Sequence, residues 1–87
     1  MTKIYIYCLF DRFDAFLGVY SSLQAIHRDA LRACNHGHGA VYMREGKGHI
    51  SPTLTHLRNT FKGLCDVEVQ YHSDSNMVKI FKTKLKE

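Results

Sequence analysis

From Lys3 to Phe10 the chain reads Lys-Ile-Tyr-Ile-Tyr-Cys-Leu-Phe, a β-branched and aromatic run too short for a free-standing helix and closed by the turn-like Asp11-Arg12-Phe13-Asp14. This predicts a strand. A second apolar run, Ala15 to Tyr20, follows directly, and the two are expected to pair as an antiparallel hairpin across the Asp-rich loop. The first strand is apolar almost without interruption, so it should be central and covered on both faces, or have one face covered by a partner.

The period then changes. Leu23, Ile26, His27, Ala30, Leu31 and Cys34 recur at helical spacing, with Gln24, Arg28, Asp29 and Arg32 on the other side. Ser21 with Gln24 three residues on makes a capping-box start, and Asn35-His36-Gly37 ends the helix, Gly37 supplying a left-handed residue. Ala40 to Arg44 reads as a short strand and Glu45-Gly46-Lys47-Gly48 as a turn. Ser51 and Pro52 suit the cap and first position of a second helix, whose apolar stripe is Leu54, Leu57, Phe61 and Leu64. Gly63 stops it, and Lys62 suits the negative end of its dipole.

Cys65 to Tyr71 alternates, with Val67, Val69 and Tyr71 on one face. Across the turn Ser73-Asp74-Ser75-Asn76, pairing His72 with Met77 sets Tyr71 against Val78 and Val69 against Ile80, so that both strands place their apolar residues together. The order β-β-α-β-α-β-β predicts an α+β domain in which one antiparallel or mixed sheet carries both helices on one face.

The length of 87 residues makes residues 1–87 a single domain with one thin core, which excludes a two-domain enzyme. Neither a membrane-spanning run nor a secretion signal is visible, and three cysteines, Cys8, Cys34 and Cys65, have no paired spacing. A reduced, cytoplasmic protein with no membrane partner is expected.

Six histidines raise the question of metal. Cys34-Asn35-His36-Gly37-His38 is the densest group of possible ligands, but the chain has neither Cys-x2-Cys nor His-x3-His, the paired spacings that let four donors converge. No metal and no cofactor is therefore expected. His27 lies on an apolar stripe and is better read as a core-edge residue bonded through one ring nitrogen than as a general base. The cysteines read as buried structural thiols, Gly46-Lys47-Gly48 lacks the spacing of a phosphate loop, and Asp11 and Asp14 suit turn geometry. An enzyme built on His36, His38 and His56 ranks last among the functional readings, and the chain is expected to be non-enzymatic.

Charge says more. Twelve basic residues against eight acidic give +4. Arg28 and Arg32 stand one turn apart on the first helix, as do Arg58 and Lys62 on the second. Lys79, Lys82, Lys84 and Lys86 follow in the last strand and tail. Such surfaces attract acidic protein patches or phosphate backbones.

The segments Gly18-Val19-Tyr20-Ser21-Ser22-Leu23, His27-Arg28-Asp29-Ala30-Leu31, Pro52 to Gly63 and Lys82 to Glu87 together resemble the small early proteins of T-even-like bacteriophages. The resemblance covers most of the chain, lies in short segments rather than a catalytic motif, and carries over no site residues. It implies a host-takeover factor, located in the host cytoplasm, that binds and inhibits or redirects one host macromolecule. The expected partner is a host protein, met through Arg28, Arg32, Arg58 and Lys62 with Phe13 as an exposed apolar contact. Nucleic acid bound through the four C-terminal lysines is the alternative. Should Tyr5, Tyr7 and Phe81 share the face opposite the helices, that patch would be apolar enough to suggest a homodimer through the sheet.

Overall fold

Eight elements follow one another: β1 (Tyr5–Asp11), β2 (Phe16–Tyr20), α1 (Leu23–Asn35), β3 (Tyr42–Glu45), β4 (Gly48–Ile50), α2 (Leu54–Phe61), β5 (Val67–His72) and β6 (Met77–Lys84). The structure is a computed structural model that describes residues 4–35, 41–45, 48–63, 65–74 and 76–85, with the side chains of all of these except 35, 44, 45, 48 and 49. Gly37, Ala40, Gly46, Lys47, Leu64 and Ser75, to which turns, caps or apolar stripes were assigned above, lie outside the described residues.

All strand pairings are antiparallel, and the sheet order is β2-β1-β6-β5-β3-β4. The fold is α+β, with the expected elements in the expected order. A short strand, β4, is added at the outer edge, three residues being too few for a period to register in the sequence. The first and last strands lie side by side, and the Leu85 N–H donates to the Ile4 carbonyl at 2.8 Å.

Both helices cover one face. Ile26, Ala30 and Cys34 of α1 and Leu57 and Phe61 of α2 are buried against Leu9, Met43, Val69, Tyr71, Val78 and Ile80. The β5–β6 register pairs His72 with Met77, Tyr71 with Val78 and Val69 with Ile80, as the alternation requires. Tyr71, fully buried, donates or accepts a hydrogen bond of 2.7 Å with His27 Nδ1, and the two rings meet edge to face. His27 is thus the core-edge histidine that its stripe position suggested.

The helix starts differ from expectation by one or two residues. Ser22 rather than Ser21 caps α1, its hydroxyl accepting from the Ala25 N–H at 3.3 Å. Thr53 rather than Ser51 caps α2, its hydroxyl accepting from the His56 N–H at 3.1 Å, and Pro52 precedes the cap. The exchange has a reason: the Ser51 carbonyl is occupied by the Thr53 N–H at 2.9 Å and by His56 Nδ1–H at 2.7 Å, which closes the turn that enters the helix. Gly63, with φ +73°, ends α2 as expected.

The far end of α1 is capped from another part of the chain. Ser73 Oγ donates to the Cys34 carbonyl and Asn76 Nδ2 to the Ala33 carbonyl, each at 3.0 Å. The β5–β6 turn therefore satisfies carbonyls that the helix itself leaves unpaired.

Candidate functional site

The β1–β2 turn is built by Asp11. Its Oδ1 accepts from the Phe13 N–H at 2.8 Å and the Ala15 N–H at 2.9 Å, a local bonding pattern that aspartate provides in turns. Asp14 takes the left-handed conformation, φ 65°, and its carboxylate pairs with Lys79. This frame pushes Phe13 out to 76% exposure, with the Arg12 guanidinium 4.9 Å from its ring centroid.

Beside the tip, β2 carries one extra residue. Gly18 opposes Leu9 and Phe16 opposes Phe10, so Leu17 is inserted as a bulge. It stays exposed and lines, with Asp11, Arg12, Phe13, Ala33, Asn76 and Val78, a mostly apolar groove of about 320 Å³ between the hairpin tip and the end of α1. An exposed phenyl ring, a guanidinium laid across it and an adjoining apolar groove combine the residue types that dominate protein–protein contacts.

The basic residues of the helices are exposed at Arg28, Arg32, Arg58 and Lys62. Arg28 pairs with Asp29 at 3.3 Å. Asp29 also accepts from the Tyr20 hydroxyl at 2.7 Å, and that bond, with Arg28 beside it, holds its carboxyl below the usual range. Tyr20 reaches Asp29 by lying over Gly18, where a Cβ would stand 3.2 Å from its hydroxyl. Arg32 stands in the last turn of α1, next to the Ala33 that borders the Phe13 groove. Lys62 is at the other end of the sheet: it follows Phe61, whose ring packs 6.0 Å from that of Tyr7. The groove beside Phe13 thus reaches the last turn of α1 at Ala33, while Lys62 stands beyond Phe61, whose ring packs against that of Tyr7.

The C-terminal lysines do not share a surface. Strand alternation sends Lys79 to the face opposite the helices and Lys82 and Lys84 to the helix face. Lys82 is buried, its ammonium donating to the Phe61 carbonyl at 2.8 Å and lying 4.5 Å from the Tyr5 ring centroid. It closes the carbonyl end of α2. Lys84 is exposed, and Lys86 lies outside the described residues.

Tyr5 and Tyr7 likewise turn toward the helices, so only Phe81 of the three residues considered for a sheet-face patch lies on the open side. The signal was in the first strand itself. Its other parity, Ile4, Ile6, Cys8 and Phe10, is apolar throughout.

Among the histidines, His56 is tied to the Ser51 carbonyl, and His72 Nε2–H donates to Gln70 Oε1 at 2.8 Å while its ring stacks on Tyr42. His36 and His38 lie outside the described residues, and among those described no three His, Cys, Asp or Glu side chains gather as a metal site would need. Cys34 is buried, with Sγ 3.4 Å from the Tyr71 carbonyl, and burial raises its thiol pKa. Among the described residues no helix is long and apolar enough to cross a membrane. No protein-family model, curated protein or solved structure matches the chain.

Proposed function

We propose that this protein is a non-enzymatic binding module that acts in the cytoplasm by occupying the surface of another protein, in the manner of the phage host-takeover factors its sequence resembles. The observation that carries the reading is the hairpin tip. Phe13 stands 76% exposed under the Arg12 guanidinium, beside an apolar groove completed by Leu17. Holding a large ring in water is unfavourable, and burying it contributes about 1.5–3 kcal/mol. Arg28 and Arg32 extend the surface along α1 with positive charge. The partner it fits presents an apolar pocket for Phe13 rimmed by carboxylates.

A nucleic-acid partner is supported less well. Phosphate binding needs several cations along one track, whereas Lys79 is paired with Asp14, Lys82 is buried beneath α2, and Lys84 is on the face opposite Lys79.

The test is retention from nuclease-treated bacterial lysate by the tagged wild type, by Phe13→Asp and by Arg28→Glu with Arg32→Glu. Each variant changes only exposed positions and should keep the wild-type circular dichroism, Arg28→Glu giving up only its surface ion pair with Asp29. The expected result is one stoichiometric protein held by wild type and lost by both variants. A partner held equally by all three, or recovery that disappears with nuclease, would refute the reading.

A further inference from the structure

Among the described residues no helix or strand covers the face opposite the helices, and half of that face is apolar. Alternation along β1 turns Ile6, Cys8 and Phe10 outward, with Ile4 continuing the same parity. Phe16 and Val19 flank them on β2, and Phe81 on β6 with Leu85 beyond it. None of these eight side chains carries a charge. Ile4 is 51% exposed, Phe16 59%, Val19 57% and Leu85 45%. The other four, Ile6, Cys8, Phe10 and Phe81, are half-buried between them.

We infer that this face is the interface of a homodimer, in which two copies stack sheet on sheet with their helices outward. Three observations favour a second copy as the occupant. The first is extent: the eight apolar side chains run without a charge between them across three adjacent strands, β2, β1 and β6. The second is charge. A chain of net charge +4 repels its own copy, and contact through these eight uncharged side chains brings no like charges together; Lys79 beside them is already neutralised by Asp14.

The third is shape. Phe16 and Val19 project from the edge strand, and beyond Phe10, whose ring packs 5.8 Å from that of Phe16, a shallow groove of about 370 Å³ continues over Phe81 between the Lys79–Asp14 pair and Glu68. A two-fold axis lying along the strands sets each copy's projecting residues against the other's groove, which is the self-complementarity an isologous contact requires. Aligned packing of two sheets provides the arrangement. It also accounts for the unbroken apolar sequence of β1, a strand whose two faces are then both covered.

The dimer face lies on the opposite side of the sheet from α1, so this inference stands or falls apart from the function proposed above. Sedimentation velocity of the full chain from micromolar to millimolar concentration should give a species of twice 10.0 kDa. Val19→Lys and Phe16→Lys, both at exposed positions, should keep the wild-type circular dichroism and weaken dimerisation by about 100-fold or more, because each dimer would bury two unpaired ammonium groups. Cys8 should gain reactivity toward a maleimide in both variants. Arg28→Glu with Arg32→Glu should dimerise like wild type. A wild-type chain that stays monomeric at millimolar concentration would overturn the inference and assign the face to a different partner. A dimer that survives both lysine substitutions, or Cys8 equally reactive throughout, would overturn it too.

Discussion

The C-terminal cap of α1 offers a sharp test of how this fold is held. Ser73 and Asn76 belong to the β5–β6 turn, 39 and 43 positions from the carbonyls they serve at Cys34 and Ala33. Ser73→Ala removes one hydrogen bond at a site with 9% exposure. The net loss of such a bond is about 1 kcal/mol, rising to about 2 kcal/mol where the abandoned carbonyl finds no water. Asn76→Ala removes two, because Asn76 Oδ1 also accepts from the Met77 N–H at 2.8 Å. Its site is half-buried, so water replaces part of the loss and a cost of about 1–2 kcal/mol is expected again. The double variant should cost less than the sum by about 0.5 kcal/mol, since a last turn frayed by one loss has less left for the second to remove. With a urea m-value of about 1 kcal/mol/M, the low end for small domains, each single variant moves the midpoint down by about 1–2 M. The assay is urea unfolding followed by circular dichroism, with amide hydrogen exchange resolved along α1. Midpoints that do not move, together with unchanged exchange in the last turn of α1, would refute the cap and mean that water serves these carbonyls equally well.

Two further outcomes are expected. Gly63→Ala meets no atom within 4 Å, so its whole effect is the left-handed backbone at φ +73°; a loss of about 1 kcal/mol is expected, seen as a melting temperature lower by about 4–8 °C, and an unchanged one would show that the helix end relaxes freely. Burial lowers the pKa of His27 below its ordinary value, so the folded state favours the neutral ring and protons favour unfolding. Stability should therefore be complete above about pH 6.5, the unfolded value, and decline as pH falls from there toward the depressed folded value. His27→Gln should flatten that decline in urea titrations across the same range, and an undiminished slope would place its origin elsewhere.

Much of this architecture was legible because its causes are local. The stripe Leu23, Ile26, His27, Ala30, Leu31 and Cys34 needs only a helical period, and Ile26, Ala30 and Cys34 are fully buried. The β5–β6 register follows from alternation on either side of a short turn, and the β1–β2 hairpin from an aspartate that bonds its own backbone. Phe13 at the tip of that hairpin is exposed for the same local reason. Helix caps were less legible, since Ser21 and Ser22, or Ser51 and Thr53, offer the same hydroxyl one or two residues apart, and the surrounding backbone bonds choose between them.

What the chain alone determined, then, is the kind and order of its elements, the apolar set each one buries, and the turns that join neighbours in sequence. Tertiary structure decided which strands lie side by side, since β1 meets β6 and β5 meets β3 through contacts that no local period encodes. That choice turns Tyr5 and Tyr7 toward the helices and closes Lys82 over the end of α2. It also brings Ser73 and Asn76 to the end of α1 and turns Ile4, Ile6, Cys8 and Phe10 to the face opposite the helices. The physical reason is common to all of them: alternation shows that a strand has two faces, but only the neighbours it acquires determine which face is covered and by what.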